Sequence, residues 1–63
     1  MTKNEAWAEM VVLMDGDAAW LSRWMNRPQY WLEGATPRVA MDTEEGCEKV
    51  VARIGQIAYG VFV

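Results

Sequence analysis

The chain of 63 residues has no histidine and only one cysteine, Cys47. A single cysteine cannot form an internal disulfide, and without histidine the chain lacks the usual ligands of a zinc site. Thiolate catalysis normally needs a neighbouring base or cation, and no histidine is present to serve as one. We therefore expect a protein that is not an enzyme and uses no cofactor or metal, with Cys47 buried as a small apolar residue.

Long apolar runs are also missing, although 52% of the residues are apolar. No run approaches the roughly 18 residues that a membrane-spanning helix needs. Residues 1–5 lack the basic start and apolar centre of a secretory signal. These absences predict a soluble, cytoplasmic protein, and the length predicts one domain over residues 1–63. A core of this size rarely supplies more than about 3–5 kcal/mol of stability, so contact with a partner is plausible on physical grounds.

Clusters of basic residues are the third absence. The formal net charge is −3, whereas proteins that bind a phosphate backbone usually present grouped lysines and arginines. Arg23 and Arg27 lie one helical turn apart, and we interpret them as part of a solvated helix face. We expect no direct contact with nucleic acid.

Apolar spacing predicts two short helices in the first half of the chain. In residues 5–14, apolar positions recur at i, i+3, i+4 and i+7: Trp7, Met10, Val11 and Met14. The segment 15–17, Asp-Gly-Asp, ends this helix and offers an aspartate cap for the next one, residues 18–26. The residues expected to face inward in that second helix are Trp20, Leu21, Trp24 and Met25. Pro28 ends it, because proline disfavours helix at the preceding residue.

The second half predicts one or two further helices. Thr36 and Pro37 are typical of a helix start, and this short helix should reach about residue 41. Asp42 and Glu45 have the spacing of a capping box for the last helix. Its apolar stripe consists of Cys47, Val50, Val51, Ile54, Ile57 and Ala58. Gly55 within that helix indicates a close crossing by another helix or another stretch of backbone, and Gly60 should end it as a cap.

The fold class predicted is all-α, a small bundle of three to four short helices with an apolar C-terminal tail. The connector before Thr36 contains Tyr30 and Trp31, which either fold back as a lid on the core or face a partner. The tail Val61, Phe62 and Val63 either packs across the helices or enters another protein's cavity. Four tryptophans and five methionines in so small a chain favour an interface with another protein.

Several short motifs follow one another in the chain. They are Trp24-Met25, Asn26-Arg27-Pro28, residues 32–37 (Leu-Glu-Gly-Ala-Thr-Pro), residues 43–46 (Thr-Glu-Glu-Gly), Val50 and residues 59–61 (Tyr-Gly-Val). In this order, residues 17–62 resemble the C-terminal toxin-binding domain of the MbcA/ParS/Xre antitoxin family. Met25 and Arg38 depart from the usual pattern, which more often has leucine and an apolar residue at these positions.

The resemblance implies a function. In that family the domain grips a RES-domain toxin, an enzyme that acts on NAD, and the antitoxin's end lies at or near the toxin's active-site entrance. By resemblance the blocking element is Tyr59, Gly60, Val61, Phe62 and Val63. Typical members also carry a helix-turn-helix region that binds operator DNA, and we expect no such DNA-binding domain within 63 residues.

The main hypothesis is therefore an antitoxin-type inhibitor that binds a toxin enzyme and occludes its active site. One alternative is a free-standing inhibitor of another target, such as a phage anti-defence protein of the anti-CRISPR kind. Another is a homo-oligomerisation module, such as a homodimer, whose aromatic surface meets its own copy. Across these hypotheses the candidate partner-binding residues are Tyr30, Trp31 and residues 59–63.

Overall fold

The computed structural model describes residues 1–60, which contain four α-helices, one 3₁₀ turn and no strand. The helices are α1 (Lys3–Leu13), α2 (Ala18–Met25), α3 (Pro37–Ala40) and α4 (Glu44–Tyr59), and the 3₁₀ turn spans Tyr30–Leu32. The prediction of an all-α bundle of three to four short helices is confirmed. The predicted apolar tail, Val61, Phe62 and Val63, lies outside the described residues.

The first two helices begin at side-chain caps. The Thr2 hydroxyl accepts a hydrogen bond from the Glu5 N–H at 3.1 Å, and the Glu5 carboxylate accepts one from the Thr2 N–H at 2.8 Å. This capping box starts α1 at Lys3, two residues before the predicted start. Asp17 caps α2 as predicted, because its carboxylate accepts from the Trp20 N–H at 3.1 Å. The helix ends at Met25, just ahead of Pro28.

Threonines cap the last two helices. Thr36 accepts from the Val39 N–H at 3.3 Å, as predicted for the start of α3. Helix α4 is capped by Thr43, which accepts from the Gly46 N–H at 2.9 Å. The predicted capping box of Asp42 and Glu45 is wrong, because α4 begins one residue later than that box requires. Asp42 instead forms an ion pair with the Lys3 ammonium at 2.6 Å.

The core lies between α1, α2 and α4, and α3 closes one end. Helix α1 packs most extensively on α4, and α2 packs on α1 and α3. Within residues 1–60 no polar side chain is buried. The buried apolar side chains are Ala6, Met10, Leu21, Trp24, Met25, Met41, Cys47, Val50 and Ile54. The interpretation of Cys47 as a buried apolar residue is confirmed, and its thiol donates to the Met41 carbonyl oxygen at 3.2 Å.

Close backbone approach occurs at Gly46, in the first turn of α4. A Cβ placed on Gly46 would overlap the Ala40 carbonyl oxygen and would lie 2.7 Å from the Ala40 carbonyl carbon. A Cβ on Gly55 would meet nothing within 4 Å. The prediction of a close crossing at Gly55 is therefore wrong. The close approach occurs at Gly46 instead, because the short connection between α3 and α4 places the end of α3 directly against the start of α4.

Two ion pairs join the start of α1 to the start of α4. The Met1 amino group lies 3.2 Å from the Glu44 carboxylate, and the Lys3–Asp42 pair lies beside it. The N-terminal ends of the two helices thus meet at the same end of the bundle. None of the helices described in residues 1–60 combines the length and the apolar character that crossing a membrane requires.

Candidate partner-binding surface

The two aromatic residues of the 3₁₀ turn differ in solvent exposure. Tyr30 is 98% exposed, whereas Trp31 is half-buried against the core. The turn is closed by Glu33 and Gly34, whose φ angles of 57° and 88° place both in the left-handed region. The Gly34 N–H then donates to the Gln29 carbonyl oxygen at 3.0 Å. Trp31 therefore covers the core, as the lid interpretation predicts, whereas Tyr30 is exposed and its contact with a partner stays a prediction.

Trp31 is held by contacts that the sequence did not indicate. The guanidinium carbon of Arg53 lies 4.7 Å from the centroid of the indole ring, a cation–π contact. The indole N–H donates to the Gln29 side-chain oxygen at 3.3 Å. The periodicity of α4 predicts Arg53 on its solvated side, but contact with the indole leaves it half-buried. No local pattern could have revealed this contact, because the two residues belong to separate elements.

The C-terminal end of α4 is exposed. Tyr59 is 73% exposed. Gly60 has a φ of 61° and caps the helix by donating to the Gln56 carbonyl oxygen, as predicted. Ala58 was expected on the apolar stripe, but it is exposed, and Ile57 is half-buried. The other candidate residues of this end, Val61, Phe62 and Val63, lie outside the described residues.

Helical geometry connects the turn to the end of α4. Ala52 and Gln56 line a cleft of about 200 Å³ beside Trp31, together with Lys49 and Arg53. Ala52, Gln56 and Tyr59 follow the i, i+4, i+7 spacing of one helix face, so Tyr59 lies one turn beyond this cleft. We group Trp31, Arg53 and Gln56 of this cleft with Tyr30, the neighbour of Trp31 in the chain, and with Tyr59, and we call this set of residues the aromatic surface.

The residue types of this surface are those enriched in protein-binding sites. Tyrosine and tryptophan offer a large apolar body and one polar group, which suits partners better than small ligands at an open site. Val12 and Val39 are also exposed, at 77% and 60%, but each is a single apolar residue of the kind found on most surfaces. Within residues 1–60 no group of three or more histidine, cysteine or carboxylate side chains could hold a metal ion.

One comparison with known proteins gave a match. The sequence model of the family described as the antitoxin Xre/MbcA/ParS C-terminal toxin-binding domain matches residues 8–60. The matched range begins within α1 and includes residues 8–13 of this helix, which packs more extensively on α4 than the other helices do. No curated protein and no solved structure matched the chain.

Proposed function

This chain belongs to the antitoxin Xre/MbcA/ParS C-terminal toxin-binding domain family, and we propose that it inhibits a toxin enzyme by occluding the active site with its C-terminal end. The family match supports an antitoxin domain whose partner is a toxin protein. Our finer proposal is a RES-domain toxin that acts on NAD, as the motif resemblance implies. We assign no catalytic step to the chain itself and propose that it works in the cytoplasm.

The observation that carries this proposal is the exposure of two tyrosines, one next to the fixed Trp31 in the turn and the other at the end of α4. Tyr30 and Tyr59 are 98% and 73% exposed, and both would lose that exposure if a partner covered the aromatic surface. Tyrosine, tryptophan and arginine are the residues most often found as binding anchors. Trp31 is already held by Arg53, so binding would cost little further side-chain entropy there.

The position of Gly60 supports occlusion by the C-terminal end. Gly60 ends α4 directly after Tyr59, at the border of the aromatic surface. Three apolar residues, Val61, Phe62 and Val63, follow in the sequence. In our proposal the toxin binds the aromatic surface, and this apolar segment enters the mouth of its active site.

The test is inhibition of a RES-domain toxin from the same host, purified and assayed for NAD consumption. We expect activity to fall to background near one equivalent of the chain, because each domain covers one active site. Full activity in the presence of a large molar excess would contradict the proposal for this toxin class. Sedimentation of the isolated chain provides the second readout, since a tight homo-oligomer that ignores the toxin would favour the oligomerisation module.

A truncated chain that ends at Gly60 tests the occlusion step separately. We expect it to retain the helical circular dichroism of the full chain and to bind the toxin more weakly, with little inhibition. The truncated chain keeps the aromatic surface, so binding that persists without inhibition would isolate residues 61–63 as the blocking element. Equal inhibition by both forms would exclude occlusion by the C-terminal end and leave toxin binding intact.

A further inference from the structure

Helix α2 carries a second candidate site, a cleft between core-packed tryptophans and exposed arginines. Trp20 and Trp24 stack with ring centroids 6.2 Å apart and an angle of 14° between the ring planes. Arg23 and Arg27 lie one turn apart on the same side of the helix. These four residues line a cleft of about 250 Å³, which we call the α2 cleft.

The two arginines of the α2 cleft have no charged or aromatic partner within residues 1–60. Both are exposed. The ion pairs among the described residues join Met1 to Glu44 and Lys3 to Asp42, and the cation–π contact there belongs to Arg53. The α2 cleft therefore combines two available guanidinium groups with a wall of stacked indoles, in a chain whose net charge is −3.

We propose that the α2 cleft binds an acidic segment of the toxin. A carboxylate of that segment would lie between the guanidinium groups of Arg23 and Arg27, which can donate paired hydrogen bonds to it. An adjacent apolar side chain would pack on the Trp20 ring, which is half-buried. This inference rests on the proposed function, because it assigns the acidic segment to the same partner.

The α2 cleft adjoins the aromatic surface, so one partner can cover both. The Gln29 side-chain amide donates to the Arg27 carbonyl oxygen at 3.3 Å. The oxygen of the same amide accepts from the Trp31 indole N–H at 3.3 Å. A single glutamine side chain thus spans the distance between the end of the α2 cleft and the turn that carries Tyr30.

Charge favours an acidic protein segment over the other anionic partners. A phosphate backbone would meet the overall negative charge of the chain, and two arginines are few for such a ligand. A second copy could also supply exposed carboxylates, such as Glu9, Glu33 and Glu45, but the family match supports a toxin as the partner of this domain. An acidic segment of the toxin is therefore the favoured occupant.

The first experiment uses a peptide and needs no toxin. The probe is a blocked five-residue peptide with two carboxylate side chains and one leucine, and its control carries asparagine and glutamine instead. We expect saturable shifts of the Trp20 and Trp24 indole N–H signals in NMR spectra with the acidic peptide and no shift with the amide control. Equal shifts with both peptides, or none, would overturn the inference.

The variants Arg23→Gln/Arg27→Gln and Lys3→Gln/Arg38→Gln form a matched pair, because each removes two positive charges. We expect the first to weaken peptide and toxin binding by about 10-fold or more and to reduce the salt dependence of toxin binding. The second should stay within about 2-fold of the wild type, since it removes only the exposed Lys3–Asp42 ion pair and the exposed hydrogen bond from Arg38 to Asn26. Equal losses in both variants would show a general charge effect and would contradict a specific site.

The remaining outcomes separate this inference from the proposed function. A larger response of the indole signals to an oligothymidine would assign the α2 cleft to nucleic acid and overturn the inference. Shifts that depend on protein concentration alone would assign it to a second copy and overturn it equally. If the acidic peptide does not bind while the wild-type chain still inhibits the toxin, the inference is overturned and the proposed function stands. A wild-type chain that binds the acidic peptide but no toxin would support the acidic-segment site and contradict the proposed function.

Discussion

The two halves of α4 differ in burial. The first half, residues 44–51, is closely packed: Gly46, Cys47 and Val50 are buried, and a threonine side chain caps its start. In the second half, residues 52–59, Ile54 alone is buried. Tyr59 near its end is 73% exposed. One helix therefore stabilises the fold with its first half and presents a surface with its second.

Helix cooperativity explains how one element can do both. Forming the first turn of a helix is unfavourable, whereas adding residues to an existing helix costs little. Tertiary packing of the first half stabilises those early turns, and the second half extends from them. The exposed half can therefore carry residues selected for binding, because its helical conformation does not depend on their burial.

The largest expected effect concerns the packed half. Gly46→Ala should lower the free energy of unfolding by about 3 kcal/mol or more, because the new Cβ would overlap the Ala40 carbonyl group. A domain of this size has about that much stability in total, so we expect the variant to be largely unfolded at 25 °C. Denaturant unfolding followed by circular dichroism measures the effect.

Gly55→Ala is the matched control for that substitution. It adds the same methyl group to the same helix, where a Cβ meets nothing within 4 Å. We expect it to raise the free energy of unfolding by up to about 1 kcal/mol, because alanine has the higher helix propensity. Strong destabilisation at Gly55 combined with tolerance at Gly46 would reverse our assignment of the close approach.

The second expected effect concerns the exposed half. Tyr59→Ala should weaken toxin binding by about 30-fold, equivalent to about 2 kcal/mol, which is typical of a binding anchor. The unfolding midpoint should hardly change, because the side chain is mostly exposed. Calorimetric titration against the toxin and thermal unfolding measure the two quantities. Val12→Ala, an exposed apolar residue on α1, should leave both unchanged, and comparable losses of affinity in the two variants would argue against a defined surface.

A smaller effect distinguishes Thr43, the observed cap of α4, from Asp42, the cap predicted from the sequence. Thr43→Ala should lower the free energy of unfolding by about 1 kcal/mol, because the Gly46 N–H loses its acceptor. Thr43→Ser should restore most of that loss. Asp42→Ala removes only an exposed ion pair and should cost at most about 0.5 kcal/mol. A greater cost at Asp42 than at Thr43 would favour the capping box predicted from the sequence.

The smallest expected effect is a pH dependence of the folding stability, which arises from Glu5 at the start of α1. The hydrogen bond from the Thr2 N–H lowers the pKa of Glu5 from its usual value of 4.5. Because the folded pKa is the lower one, this stabilisation is present above pH 4.5 and is lost as the pH falls through the folded value. Glu5→Gln does not titrate, so its melting temperature should fall less steeply in acid.

Glu48→Gln is the control for that pH series, because it changes the net charge equally without touching the capping box. If both variants show the same acid dependence, the hydrogen bond at the start of α1 does not cause it. Neither substitution should change the affinity for the toxin, since neither residue belongs to the aromatic surface or to the α2 cleft.

Much of the local structure could be predicted from the sequence. The caps at Asp17 and Thr36 and the glycine stop at Gly60 act on backbone groups within a few residues, so their identity and spacing are sufficient. Burial of Cys47 followed from the apolar periodicity of one helix. The first residue of α4 was less accessible, because Asp42 and Thr43 both have capping side chains and only the packing of α3 on α4 selects between them.

Contacts between separate elements could not be predicted in this way. The sequence contains two glycines in α4, and nothing local reveals that Gly46 rather than Gly55 meets another backbone. The same applies to the aromatic turn, where Trp31 packs beside Arg53 while its neighbour Tyr30 is exposed. Each of these outcomes depends on the angle at which a short loop directs the chain.

The amino-acid sequence by itself determined that the described chain is helical, where its helices begin and end within a few residues, and that its motifs are those of a toxin-binding domain. Such properties depend on hydrogen bonds and side-chain periodicity within single segments. Only the tertiary structure decided which half of α4 is packed and which is exposed, and that Trp31 of the turn packs beside Arg53 of α4. Those properties depend on segments distant in the chain, whose relative positions are set by loop geometry and by the burial of a shared core.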